Sequence, residues 1–285
     1  MAVVNTNIGA SVAQAALAKN DRALGAAMEQ LSTGKRINAA GDDASGLAIS
    51  ARMTSQIRGL ETSIRNANDA ISMVDTAEGA LDEITEMLQR IRELAVQSGT
   101  GTTHADDRTY MDAEFNALRD EIDRIASNTE WNGNTVIDGT RGSAGTVTYQ
   151  VGVDGGNTLS VDFGDMTASS GSMLSLNGAA VGLNGTTVAS GITLAASVIT
   201  ITDVAITAVS TQRATFGATS NRLTHAVDNL TNVKTNAEAS RSRILDTDYA
   251  AATSELARTQ IIQQAGTAML AQANQLPQSV LSLLQ

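Results

Sequence analysis

The sequence predicts a mainly α-helical protein with long antiparallel coiled-coil helices, paired terminal helices and a small β-hairpin in the middle of the chain. Three observations predict this fold class. Apolar residues repeat every three or four positions over long stretches, the two chain ends carry no charged side chain, and three Phe, three Tyr and one Trp are the only aromatic residues among 285. Since aromatic side chains supply much of the burial in globular cores, a core of Ala, Leu, Ile and Val has to be thin, as between two or three helices.

The longest element is predicted to begin at Asp42 or Asp43, either of which suits a helix N-cap, and to stop at Gly99 and Gly101. Its apolar residues follow steps of four and three, which is typical of a coiled-coil seam. The seam comprises Met53, Ile57, Leu60, Ile64, Ala67, Ile71 and Val74, and then Ala77, Leu81, Ile84, Leu88, Ile91 and Ala95. A helix of about 55 residues would be about 80 Å long, which is too long for a compact globular domain.

Two more helices are predicted from the same periodicity. One has apolar steps of four and three over Met111, Phe115, Leu118, Ile122 and Ile125, and the turn signal Asn132-Gly133-Asn134 follows it. The other runs from about Asp203 to Ile244. Its seam includes Leu223, Ala226, Leu230, Val233, Ala237 and Ile244. Three helices with compatible seams indicate an antiparallel bundle.

The middle of the chain has a different composition. Residues 146–154 and 158–163 alternate like strands around Gly155-Gly156, which predicts a β-hairpin at about 146–163. Residues 167–202 are rich in Gly, Ser, Thr, Val and Ala, and we expect short strands and loops there. So short a segment cannot form an independent domain without a metal ion or disulfides.

Charge is distributed unevenly. Residues 43–140 carry eight Lys or Arg and eighteen Asp or Glu, whereas residues 1–18 and 259–285 carry no charged side chain. A helix without a charged face is usually surrounded by protein. The two ends are therefore either disordered tails or helices buried against each other and against neighbouring copies, and the sustained periodicity favours the second interpretation.

Composition excludes several functions. The absence of Cys excludes a disulfide framework, a thiolate metal site and a Cys nucleophile. Two His residues are too few for a His-based metal site, and a net charge of −11 argues against nucleic-acid binding. No run of 18 apolar residues occurs, and the N-terminus lacks the basic start of a secretory signal peptide. We therefore expect no enzyme, no cofactor and no membrane insertion.

Several motifs carry a family resemblance. They are Asn5-Thr-Asn7, Leu31-Ser-Thr-Gly34, Arg36-Ile-Asn38, the stretches 41–49, 65–72, 78–81 and 88–98, and near the other end 241–249 and 271–278. Through these stretches, at both ends of the chain and in one order, the sequence resembles bacterial flagellin of the type with a short insert.

The resemblance implies a domain organisation. Residues 1–44 and 245–285 would form an inner tube of paired terminal helices, and residues 45–166 and 203–244 an outer tube of coiled coil that includes the hairpin. Residues 167–202 would be a short, surface-exposed, variable insert. The residues expected to join subunits through the terminal helices are Val4, Val12, Leu24, Leu31, Ile262, Met269, Leu276, Val280 and Leu283.

The resemblance also implies a function and partners. The chain would self-assemble into the helical filament of the bacterial flagellum for swimming motility. It would leave the cell through the flagellar type III export apparatus without a cleaved N-terminal signal peptide. An export chaperone, the filament cap and the hook-junction proteins would be its other partners. The alternatives are the hook–filament junction protein, which shares the end motifs, and a coiled-coil signalling or binding module that does not polymerise.

A recognition site is implied in the long helix and its neighbour. In similar flagellins the matching positions contact a vertebrate Toll-like receptor that senses flagellin. These positions are Gln89, Arg90, Arg92, Glu93, Leu94 and Glu114. Arg90 and Leu94 are four residues apart, so they are expected on one helix face. The alternative is that the six residues serve only the subunit contacts of the filament.

Overall fold

The computed structural model describes residues 7–168, 182–185 and 187–282, with side chains as far as residue 275. This part of the chain is mainly α-helical, which confirms the predicted fold class. Its helices are α1 (Ile8–Thr33), α2 (Ala44–Ser98), α3 (Ala105–Asn128), α4 (Val188–Leu245) and α5 (Tyr249–Ser282). Two antiparallel hairpins pair β1 (Glu130–Trp131) with β2 (Asn134–Thr135) and β3 (Thr146–Gln150) with β4 (Thr158–Asp162).

The chain divides into two compact units, Met1–Ile57 with Thr235–Gln285, and Arg58–Lys234. In the first unit α1 packs against α5. Gly34 ends α1 in the left-handed conformation, with φ of 70°, which glycine adopts without strain. The turn after it pairs with the connection between α4 and α5. The Arg36 amide donates to the Leu245 carbonyl at 2.7 Å, and the Thr247 amide donates to the Gly34 carbonyl at 3.0 Å.

Helix α2 has the predicted length of 55 residues. The Asp43 side chain accepts a hydrogen bond from the Gly46 amide at 2.8 Å, which is the contact expected of an N-cap. This hydrogen bond lowers the pKa of Asp43 below its ordinary value. The helix ends at Ser98, one residue before Gly99. Both predicted boundaries of the longest helix are therefore confirmed.

The core of the second unit lies between α2, α3 and α4. The predicted α2 seam supplies Leu81, Ile84, Leu88, Ile91 and Ala95, all buried. Phe115 of α3, Phe163 after β4 and Phe216 of α4 are buried in the same cluster. The rings of Phe163 and Phe216 lie 5.5 Å apart at 55°, a favourable tilted arrangement. Three of the seven aromatic residues are thus buried in an otherwise aliphatic core.

The β3–β4 hairpin lies against α2 within the second unit. A Cβ atom at Gly59 of α2 would come 2.9 Å from the Val153 side chain in the hairpin turn, so glycine permits this close approach. Asn66 of α2 donates from Nδ2 to the Gln150 carbonyl at 3.0 Å. The predicted hairpin at about 146–163 is confirmed. Close packing at Gly59 and the hydrogen bond from Asn66 hold it to α2.

Helix α4 begins at Val188 rather than near Asp203, so residues 188–202 of the expected insert are helical. Buried residues recur in this stretch every three or four positions, namely Gly191, Ala195, Val198 and Thr202. Threonine side chains there bond to the carbonyl four residues earlier, as Thr202 does to Val198 at 2.7 Å. The expectation of strands and loops was wrong for 188–202, and residues 169–181 and 186 lie outside the described part. Val233, predicted in the seam of this helix, is exposed.

Candidate assembly and recognition surfaces

The paired terminal helices contact each other through small and polar side chains. Asn20 of α1 is buried, and its Nδ2 donates to the Thr259 carbonyl of α5 at 2.8 Å. Gln263 of α5 donates to the Asp21 carboxylate at 2.8 Å. Leu17 fits against Gly266, where a Cβ would come within 2.6 Å of it. This interface joins the two helices, and the leucines in it are only partly buried.

Large apolar side chains of both helices point away from this interface. They are Ile8, Val12 and Met28 on α1 and Ile261, Ile262 and Met269 on α5, and all six are exposed. Met269, with 67% of its surface accessible, and Ile261, with 66%, are the most exposed. Solvated apolar residues are common singly, but a row of them marks an interaction surface, and all of these except Met28 lie in the uncharged stretches 1–18 and 259–285.

The predicted assembly residues divide into three groups. Val12, Ile262 and Met269 are exposed, whereas Leu24 and Leu31 are partly buried on the side of α1 that includes Asn20 and Ala27. Val4, Leu276, Val280 and Leu283 lie outside the residues whose side chains are described. The periodicity from Ile262 through Met269 therefore locates an outward face of α5 and not the face that contacts α1.

Three of the residues predicted for recognition, Arg90, Glu93 and Glu114, form an ion-pair cluster on α2 and α3. Arg90 donates from Nε to Glu114 of α3 at 2.9 Å and from Nη1 to Glu93 at 3.0 Å. The hydrogen bond that Arg90 donates to Glu114, and then the one that it donates to Glu93, raises the pKa of Arg90. Arg92, also exposed, donates to Asp203 of α4 at 2.7 Å. The structure thus brings Arg90, Glu93 and Glu114 together and turns Arg92 toward a different helix. The partnership of Arg92 with Asp203 is a contact that periodicity could not predict.

Leu94 does not share the exposed surface of Arg90. It is 1% accessible and belongs to the core cluster of the second unit. A spacing of four residues turns a helix by about 400°, so the side chains are about 40° apart, and this offset separates the core from the surface here. Arg90 and Leu94, which were expected on one helix face, therefore lie on either side of the boundary between surface and core. Gln89 is exposed beside Arg90.

The two His residues have positions without an evident chemical role. His104 is the N-cap of α3 and accepts from the Asp106 amide at 3.4 Å, and His225 is exposed on α4. Among the described residues no three His, Asp or Glu side chains are grouped so that they could hold a metal ion.

One stretch of α4 is unusually apolar. An 18-residue window has a mean hydropathy of 1.9, and 28% of it is buried, so by length and composition alone this helix could cross a membrane. Ala195, Val198, Thr202, Ala205 and Val209 are buried along one face. Packing accounts for these buried residues, and most of the apolar window is not buried.

The fold combines coiled-coil helices with terminal helices whose apolar faces point outward. This combination defines the class of self-assembling structural proteins. The family follows from comparison with known sequences. The model of the bacterial flagellin N-terminal helical region matches residues 4–141, and that of the bacterial flagellin C-terminal helical region matches residues 199–284.

Individual relatives agree over the whole chain. A flagellin of Halalkalibacterium halodurans is 43% identical over 99% of this chain and 100% of its own length. A flagellin of Bacillus subtilis is 42% identical over 99% of each chain. The flagellar filament 33 kDa core protein of Treponema phagedenis is 41% identical over 99% of this chain and 100% of its own. The chain belongs to the bacterial flagellin family. It is a structural subunit of the flagellar filament and not an enzyme.

Proposed function

We propose that the terminal helices build the inner tube of the filament and that the outward apolar face of α1 and α5 joins neighbouring subunits there. The exposed residues Val12, Ile262 and Met269 carry this proposal. Identical subunits with such a face can add one after another in an open helical array. Residues 1–44 and 245–285 are assigned to this layer.

The outer tube is assigned to residues 45–166 and 203–244, with the β3–β4 hairpin on its coiled coil. Residues 188–202 join it, because they continue helix α4. The variable insert is then reduced to the stretch from residue 167 to α4. A density map of the polymer tests this assignment, since each helix has a defined radius from the filament axis. Density for α1 and α5 at a larger radius from the filament axis than that of α2 would contradict the assignment.

Assembly itself is tested by placing a charge on the proposed face. Met269→Glu is expected to prevent polymerisation, because a carboxylate buried between subunits without a partner is strongly unfavourable. Gln260→Glu is the matched control, since Gln260 is exposed in the same uncharged stretch of α5 and lies nine residues before Met269, on the opposite side of the helix. Sedimentation and electron microscopy measure polymer. If Met269→Glu formed filaments as readily as Gln260→Glu, the proposed face would be wrong.

The terminal helices are expected to order on assembly, since their large apolar side chains lack partners in a single chain. Limited proteolysis of the monomer should trim both ends and leave a core near residues 45–240. Filaments should resist the same treatment. Equal protection of the ends in monomer and filament would contradict this coupling of folding to binding.

We assign the further partners from the family alone. An export chaperone, the filament cap and the hook-junction proteins meet the subunit on its way to the filament. Export without a cleaved signal peptide agrees with a chain that has no Cys and therefore no crosslink to block threading. Mass spectrometry of subunits from purified filaments tests this route. A subunit that lacks a segment of its N-terminus would exclude it.

The ion-pair cluster is the proposed contact for the vertebrate Toll-like receptor. Arg90, Glu93 and Glu114 are exposed, and the two carboxylates hold the guanidinium in one orientation. A planar Arg that is fixed before binding loses less conformational freedom at an interface. Gln89 and Arg92 border it, while Leu94 supports it from the core.

Replacement of Arg90 and Glu114 by Ala should sharply reduce signalling by the monomer in reporter cells. The control is Arg124→Ala with Glu121→Ala, another exposed ion pair, on α3. Both double variants should unfold at similar temperatures. If the folded variant with both Arg90 and Glu114 replaced signalled as strongly as the parent, these residues would serve only the subunit contacts of the filament.

The alternatives are not favoured. The relatives that match over full length are named flagellins or a filament core protein. A junction protein would form a short structure of fixed length, and a non-polymeric module would sediment independently of concentration. Long polymers from purified chain alone would exclude both alternatives.

A further inference from the structure

The contact between α1 and α5 is periodic, and the periodicity by itself does not determine the register of one helix against the other. The α1 positions that lose solvent are Ala10, Ala13, Leu17, Asn20, Leu24, Ala27 and Leu31, and those of α5 are Ala252, Leu256, Thr259, Gln263, Gly266, Leu270 and Ala273. Both rows repeat every three and four residues, so a slip of seven residues would bring equivalent faces together again. Something in the interface therefore has to distinguish the observed register from the slipped ones.

Two contacts make this distinction. Leu17 occupies space that exists because Gly266 has no side chain, as a Cβ there would lie 2.6 Å from Leu17 Cδ2. Asn20, with 8% of its surface accessible, donates from Nδ2 to the Thr259 carbonyl at 2.8 Å. Near the other end of the pair, Asn7 donates to the Ala273 carbonyl at 2.9 Å.

A slip by seven residues removes both contacts. Leu17 would then face Ala273 or Thr259, whose Cβ atoms fill the space that Gly266 leaves empty. The buried amide of Asn20 would face Ala252 or Gly266. A single buried Asn specifies register in coiled coils, at a cost in stability, because a slipped arrangement leaves its polar atoms without partners.

We propose that Leu17 and Asn20 fix the register of α1 against α5 and so align the outward apolar residues of the two helices for contact with the next subunit. Leu17 acts by shape and Asn20 by its hydrogen bond. The proposal rests on the proposed function, because register matters most where many identical pairs have to stack. Leu17 and Asn20 are thus positioning residues for assembly, although neither belongs to the outward face.

The register is measured with pairs of Cys, which the natural chain lacks. In the observed register Ala27 faces Ala252. Ala27 lies seven residues after Asn20, and Ala252 lies seven residues before Thr259. Ala13 and Ala273 face each other only after a slip of seven. Full-length chains with one or the other pair are assembled and mildly oxidised. A disulfide forms only between Cα atoms within about 7 Å, and non-reducing electrophoresis separates an internal loop from links between subunits.

In the parent background the Ala27→Cys, Ala252→Cys pair should close and the Ala13→Cys, Ala273→Cys pair should stay open. With Asn20→Leu and Leu17→Ala added, closure of the slipped pair should rise about fivefold or more, the ratio expected from loss of one neutral hydrogen bond. Lys19→Leu is the matched control, because Lys19 is exposed on the neighbouring position, and it should change neither pair.

Equal closure of both pairs in the parent filament would overturn the proposal, as would an unchanged slipped pair in the Asn20 and Leu17 variant. The parent comparison requires no change at Leu17 or Asn20, so it decides the matter even if the double variant does not assemble. Electron microscopy of the same samples separates the two questions. Absence of filaments from every Cys-pair chain counts against assembly through this face, whereas filaments with mixed crosslinks count against the register contacts.

Discussion

Arg108 offers a direct test of how the end of the long helix α2 is held. Its side chain is completely buried, in the first turn of α3. Nε donates to the Ser98 carbonyl and Nη2 to the Thr100 carbonyl, each at 3.1 Å. These carbonyls lie at the C-terminal end of α2, where a cation is favourable. Gly191 of α4 packs against the guanidinium, since a Cβ there would lie 2.6 Å from Nε.

Arg108→Met keeps most of the volume and removes the donors. The Ser98 carbonyl is then left buried without its partner, at about 1–3 kcal/mol, whereas the exposed Thr100 residue can turn to water. Relief of the buried charge offsets part of this loss. We expect a net destabilisation of about 2 kcal/mol, which lowers the melting temperature of a unit of this size by about 4–8 °C.

Thermal unfolding of the monomer, followed by circular dichroism, measures the effect. Arg124→Met is the control on the same helix, since Arg124 is exposed and pairs only with Glu121 three residues away among the ion pairs described. Exposed pairs of this kind contribute about 0–1 kcal/mol. If Arg108→Met lowered the melting temperature no more than Arg124→Met, the reasoning about the α2 terminus would be refuted.

Three further outcomes follow from single sites. Gly142→Ala should cost more than about 2 kcal/mol, because Gly142 has φ of 64° and a Cβ would collide with the backbone facing it; Gly155→Ala, with open space around it, is the control in the same denaturant titration. Leu94→Ala should cost about 2–5 kcal/mol by chemical denaturation, since its side chain is buried. The pKa of Asp43 is lowered mainly by the Gly46 amide, so its contribution is present above the ordinary Asp pKa and is lost as the pH falls below about 4; a loss on acidification of the Gly46 amide's protection from hydrogen exchange, measured against the unfolded-chain rate at each pH, would show this, and unchanged protection would contradict it.

Periodicity predicted the long helices because their seams are strictly apolar. The two boundaries of α2 followed from residues with one clear role each, an Asp cap and a Gly stop. Residues 188–202 were missed because Val, Ile, Thr and Gly indicate strands or loops locally. In the structure the packing of one face overrides those preferences, and the buried Thr202 hydroxyl donates to the carbonyl one turn back.

The candidate site was predictable only in part, since a sequence does not show which of two faces a helix turns inward. The spacing of Arg90 and Leu94 located one stripe of α2, yet the boundary between core and solvent passes between these residues. The partners of Arg90 on α3 and of Arg92 on α4 are distant in sequence. Such contacts depend on how α2, α3 and α4 pack, and no local pattern encodes that.

The terminal pair shows why assembly has to draw on more than one surface. Burial of the outward side chains Ile8, Val12, Met28, Ile261, Ile262 and Met269, which are already partly covered, would contribute about 1 kcal/mol each. Their sum, about 6 kcal/mol, falls within the cost of about 4–15 kcal/mol for fixing one chain against another. This face alone therefore yields at most weak association. In the proposed arrangement, contacts through the coiled-coil unit have to add to it, so that a subunit would bind firmly only where both proposed layers meet the growing end together.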